Sequence, residues 1–217
     1  MNPAYRASFA EFVGTAGLLA VVVGSGIMGE RLANGNAALA LLANSIATGL
    51  ALPVLIVTFA ELSGSHFNPL ISLVAWWRGE LASLRFIVYV AAQFGGALAG
   101  VALAHVMFDL TAFSSSEQAR QGFGQWTSEA VATFGLVFLV FATSDRSKPT
   151  LPFLVGAYIA AAYWFTASTS FANPAVTVAR AFTDTFAGIR AIDVTGFVAA
   201  QIAGAILALI ALRLVGR

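Results

Sequence analysis

The chain has 217 residues, 59% of them hydrophobic and only 10% charged, with a formal net charge of +1. A soluble domain carries about 25% charge, so no polar half remains to fold in water, and residues 1–217 read as one membrane domain. Cysteine is absent, which excludes disulfides and thiolate metal sites, and two histidines are too few for a histidine metal centre to be expected; the net charge of +1 says nothing of nucleic acid, which is not an expected partner.

Six long apolar stretches follow in chain order, at about 7–28, 37–60, 83–108, 126–144, 151–169 and 192–215. Each can cross the roughly 30 Å hydrocarbon core at 1.5 Å per residue, the fifth only barely. The first resembles a signal peptide in having Arg6 ahead of an apolar run. However, Glu11 lies inside that run, which continues through Met28, so a first transmembrane helix is expected. Two shorter apolar segments, about 68–78 and 173–183, lie between spans two and three and between spans five and six; about ten residues of helix reach only half-way across the core.

Six spans place both termini on one side. That side holds Arg6, Arg78, Arg85, Arg146, Lys148, Arg213 and Arg217, against Arg31, Arg120, Arg180 and Arg190 on the other. The excess predicts cytoplasmic termini.

The halves repeat, about 1–108 against about 125–217. Glu11 and Thr15 answer Glu129 and Thr133, and Gln93 answers Gln201. Three spans per half is an odd number, so the second copy enters from the opposite side, as in an inverted repeat. The short segments open on Asn68-Pro69 in SGSHFNPLISLVAWW and on Asn173-Pro174 in STSFANPAVTVARAF. Asn caps a helix and Pro fits its first turn, so each pair predicts a helix start at membrane depth. Non-helical backbone at that depth must be packed in protein or line a wet cavity. Two facing helix starts each carry roughly half a positive charge, a barrier to cations and protons. With their carbonyls capping, Asn68 and Asn173 would keep their amide NH2 groups free to donate to a permeating oxygen.

Glu11 and Glu129 are expected inside the bilayer, where a carboxylate needs donors. Backbone N–H groups of the re-entrant loops are the partners at hand, and a proton relay is the alternative role. Gln93 and Gln201 are expected to bond loop backbone, and Glu61 and His66 to tie down the first loop or line its mouth. Gly96 and Gly100 suit close helix packing, and Trp76 and Trp77 suit interfacial anchoring. No phosphate loop, redox motif or aligned Ser-His-Asp set is present, so no enzyme activity or cofactor is expected. A secondary transporter also uses inverted repeats, but would need a coupling-ion site, for which only Glu11, Glu61 and Glu129 are candidates.

These motifs resemble the aquaporin, or major intrinsic protein, family over the whole chain: six spans, the Glu-xxx-Thr starts, SGSHFNPL, FANPAV and the paired glutamines. The resemblance implies an all-α fold of six transmembrane helices plus two re-entrant half-helices around an hourglass pore, usually in a homotetramer. The pore motifs are then Asn68, Pro69 and Leu70, where Leu70 replaces the usual Ala, and Asn173, Pro174 and Ala175. Water- and glycerol-selective members carry Arg after the second motif; here it is Val176. Counting from the motifs places the other filter members at Thr48, Ala161 and Ser170. All four are small, so the resemblance implies a wide filter that passes neutral solutes larger than water, as in bacterial channels for trivalent metalloid acids such as arsenite. Arg180 lies one turn beyond Val176; it either restores part of the missing charge from the outer vestibule or anchors the interface. The expected setting is a bacterial inner membrane, with water, glycerol-like solutes, urea and ammonia as further candidates.

Overall fold

A computed structural model describes residues 3–143 and 149–217. Arg146 and Lys148, which entered the charge count above, lie outside the described residues. The described residues form eight α-helices, one 3-10 turn and no strands: α1 (Pro3–Leu32), α2 (Ala37–Ser63), α3 (Pro69–Trp77), α4 (Ser83–Met107), α5 (Phe123–Ala142), α6 (Leu151–Phe165), α7 (Pro174–Ala179), the 3-10 turn Arg180–Phe182 and α8 (Ala191–Leu214).

Five helices are long and apolar enough to cross a membrane: α1, α2, α4, α5 and α8. The expected fifth span, about 151–169, is shorter than predicted. Its helix α6 has 15 residues and ends at Phe165, about 22 Å of helix at 1.5 Å per residue. The chain then turns, Thr169 N–H bonding Thr166 O at 3.3 Å, and starts the second re-entrant loop. Small hydroxyl residues blur this boundary, because Thr166, Ser168 and Thr169 suit a membrane helix as well as a loop packed inside the protein. α3 and α7 are the two half-length helices. α3 has nine residues; α7 has six, and the 3-10 turn continues it.

α1 packs against α2 and α4, and α5 against α6 and α8. Small residues allow the closest approaches. A Cβ on Gly96 or Gly100 of α4 would stand 2.2 or 2.3 Å from the Phe12 or Ala16 carbonyl of α1, and one on Gly204 of α8 would stand 2.2 Å from the Ala130 carbonyl of α5. Each is an overlap with rigid backbone. The outward helix faces carry exposed Leu, Ile, Val and Phe, as lipid contact requires. Between α4 and α5, on the face opposite the termini (the far face), residues 108–122 fold back over the second re-entrant segment. Ser114 and Ser116 N–H bond the Phe182 and Ala181 carbonyls at 3.1 Å, and Arg190 N–H bonds Gln118 O at 2.9 Å.

Candidate functional site

The two Asn-Pro pairs meet at the centre of the molecule. Asn68 caps α3, its Oδ1 accepting from Leu70 N–H at 2.9 Å. Asn173 caps α7, its Oδ1 accepting from Ala175 and Val176 N–H at 3.0 and 3.3 Å. The amide groups are not wholly free, as the sequence had suggested. Asn68 Nδ2 donates to Ala172 O and Asn173 Nδ2 to Phe67 O, each at 2.8 Å. One N–H of each amide therefore locks the opposite loop, and one remains. Pro69 and Pro174 open their helices, and Leu70 and Ala175 are buried behind them.

The loops leading to these helices are held by buried carboxylates. Glu11 Oε1 accepts from Ser63 Oγ (2.6 Å) and His66 N–H (2.9 Å), and its Oε2 accepts from Phe67 N–H (2.7 Å) and Gln93 Nε2 (2.8 Å). Glu129 repeats the pattern. Its Oε1 accepts from Ser168 Oγ (2.6 Å) and Phe171 N–H (2.8 Å), and its Oε2 from Ala172 N–H (2.9 Å) and Gln201 Nε2 (2.6 Å). Four donors on a fully buried carboxylate satisfy its charge. Gln93 and Gln201 do not bond loop backbone, as expected above; they bridge the carboxylates to Ser72 Oγ and Thr177 Oγ1 at 2.9 and 2.8 Å. Each loop also carries strained backbone at matching positions, with φ of +53° and +46° at Ser65 and Phe67 and +52° and +48° at Ser170 and Ala172. Such left-handed turns cost about 1–2 kcal/mol each in non-glycine residues and persist only where the surroundings impose them.

A cavity of about 130 Å³ runs past both asparagines, with polar loop backbone on one wall and aliphatic side chains of α1, α2, α5 and α6 on the other. Within the described residues, the Gly64, Ser65, Ser170 and Phe171 carbonyls along it accept no hydrogen bond. His66 lines the cavity near the terminal face, its Nδ1 2.9 Å from Ser72 Oγ. Glu61 is exposed and lies off the cavity.

Towards the far face, Thr48, Ser170 and Val176 line the cavity, whereas Ala161 is exposed on the outside of α6. The lining face of α6 is Leu151, Val155, Ile159 and Tyr163, at intervals of four residues. Ala161 lies two residues, about 200° of helix rotation, from Ile159. Counting back from Asn173 across a non-helical loop lost this phase. The α6 residue at the far mouth is Tyr163, whose hydroxyl is 3.2 Å from Thr48 Oγ1, so the mouth contains an aromatic side chain that the sequence reading lacked. Ser170 Oγ is buried with no partner among the described residues.

Arg180 does not sit above the cavity but lines it, 2% exposed, with its Nε donating to Ala187 O and its Cζ 3.4 Å from the Phe171 ring centroid. Arg120 entered the sequence reading only in the charge count, not as a site residue. From the 108–122 loop it donates to Gly188 O at 2.7 Å and to Ser168 O and Phe186 O at 3.3 Å, and its Cζ lies 5.0 Å from the Phe171 centroid. Burial pulls its pKa below the ordinary guanidinium value, against the attraction of Glu129. Ser63 and Ser168, five residues before each Asn, and Ser72 and Thr177, four after, were also missed. Their equal spacing in the two halves was a readable signal. Nothing local in the sequence marks Arg120 or Tyr163.

The profile described as major intrinsic protein matches residues 1–170. The chain belongs to the major intrinsic protein family. It is 53% identical over 208 residues to the aquaglyceroporin AqpS of Rhizobium meliloti (strain 1021), covering 96% of this chain and 89% of that protein. It is 36% identical over 186 residues to a probable TIP-type aquaporin of Medicago truncatula, covering 79% and 72%. The X-ray structure of the aquaglyceroporin from Plasmodium falciparum superposes with a TM-score of 0.73 over 95% of this chain and 93% of that one, at 19% identity, a likeness of fold. As a member of this family the protein is a multi-pass membrane channel and not an enzyme.

Proposed function

We propose that the chain is a passive pore for water and for neutral hydroxylated solutes of glycerol size, including trivalent metalloid acids such as arsenite. The observation that carries this reading is the continuous cavity past Asn68 and Asn173 with Val176 at its far mouth. The spare amide N–H groups donate to a permeating oxygen, the unpaired loop carbonyls accept from its hydroxyls, and the aliphatic wall faces its carbon or metalloid side. Thr48, Ser170 and Val176 leave more room than the aromatic-plus-Arg corner of glycerol-selective relatives, and Tyr163 sets the remaining limit. The metalloid assignment rests on this room, and on the 53% identity to an aquaglyceroporin for the glycerol class.

Residues about 1–108 and 125–217 read as two inverted copies, and the assembly as a homotetramer in a bacterial inner membrane with cytoplasmic termini. Arg120 and Arg180 are engaged within the far half of the protein, which leaves fewer cations on that face to act as topology signals. An ion-coupled transporter is disfavoured because both central carboxylates are saturated by four donors each. The test is stopped-flow swelling of proteoliposomes with water, glycerol, urea, ammonia and the trivalent acids of arsenic and antimony. Glycerol and arsenite fluxes well above empty vesicles are expected, unchanged by an imposed ion gradient. Gradient-driven accumulation, or a pore tight to everything but water, would overturn the reading.

A further inference from the structure

We infer that Arg180 is the fixed cation of the far mouth, one helical turn beyond the position where Val176 has replaced it, and that Arg120 is the positioning residue that holds it there. The inference rests on the channel reading above and concerns charge, which that reading leaves open. Val176 and Arg180 line one cavity and share a turn, Arg180 N–H bonding Val176 O. The guanidinium carbon stands 3.4 Å from the Phe171 ring centroid, and Nε donates to Ala187 O. Among the described residues its two terminal nitrogens have no hydrogen-bond partner, and no carboxylate pairs with it or with Arg120. A buried guanidinium with unpaired N–H groups needs water or a permeating oxygen beside it, and the cavity is what it faces. The unpartnered Ser170 Oγ lines the same mouth.

Arg120 does not line the cavity. It grips the carbonyls of Phe186 and Gly188, on either side of the Ala187 carbonyl that orients Arg180, and ties them to Ser168 and the Phe171 ring. A guanidinium can hold three carbonyls in one plane, whereas a lysine ammonium cannot. The far mouth therefore keeps a positive charge at Arg180 although Val176 is neutral, and repels cations from a throat that is otherwise wide.

The experiment compares potassium and proton leak with water flux in the same proteoliposomes for the wild type, Arg180→Gln, Arg120→Lys, and each of these combined with Val176→Arg. The wild type is expected to be as cation-tight as empty vesicles. Arg180→Gln should raise the ratio of cation leak to water flux tenfold or more, Arg120→Lys should raise it to a smaller extent, and Val176→Arg should restore tightness in both. Rescue by a charge placed elsewhere in the mouth is not expected of a merely structural arginine. If Arg180→Gln conducts water and stays cation-tight, the inference is wrong; if the wild type conducts no neutral solute, the channel reading fails first. Should Arg180→Gln not fold, Arg180→Lys, which keeps the charge, should conduct water and stay as cation-tight as the wild type, and a water-conducting Arg180→Lys that leaks cations would overturn the assignment.

Discussion

Glu11 and Glu129 show most clearly what single residues contribute. Each is 0% exposed, and each spends its lone pairs on two loop N–H groups, a serine hydroxyl and a glutamine amide. Replacing Glu129 by Gln removes the charge and turns an NH2 towards donors, leaving at least one loop N–H unpaired. Charged hydrogen bonds contribute about 1.5–3 kcal/mol each, so a loss of about 3 kcal/mol is expected, with the same for Glu11→Gln. Thermal unfolding in detergent should show comparable drops for both; a drop for one alone would contradict the equivalence of the two loops. The role of both acids and the capping by both asparagines were legible in the sequence, because paired motifs limit what a buried carboxylate can bond. The second use of the asparagine amides was not, since it depends on how closely two loops approach across the centre.

At the scale of elements, most boundaries were legible and the exceptions share a cause. The long helices and the two half-helices announce themselves by apolar length and by Asn-Pro starts. α6 does not, because residues 166–169, Thr-Ala-Ser-Thr, are small residues that a membrane helix also tolerates, yet here they leave it to form the loop. The error carried into the site: without the end of α6 its rotation was lost, and Ala161 was chosen where Tyr163 faces the cavity. Helix contacts give a sharper test. Gly96→Ala and Gly204→Ala each push a methyl to 2.2 Å from a neighbouring carbonyl. Overpacking of this kind costs about 1–3 kcal/mol, so both variants should unfold at lower temperature. Gly124→Ala, where a Cβ meets nothing within 4 Å, should leave stability unchanged or raise it slightly. Equal effects at all three glycines would refute the close helix crossings.

For the whole molecule, the proposed function comes down to one passage whose far mouth the small Val176 would leave wide. Fold and family were legible from paired motifs spread over the chain. The far-mouth chemistry was only half legible, because Arg120 and Phe171 reach it through loops with no periodicity to place them. As proposed, size selection sits on Val176 and charge selection on Arg180, one helical turn apart, so the two are separable by experiment. The most direct measurement is the ratio of glycerol to water permeability in proteoliposomes, for the wild type and for Val176→Arg. The account predicts that the added guanidinium narrows the mouth and lowers glycerol flux at least tenfold while water flux falls by less than threefold. An equal loss of both fluxes, or a ratio unchanged by the substitution, would contradict it.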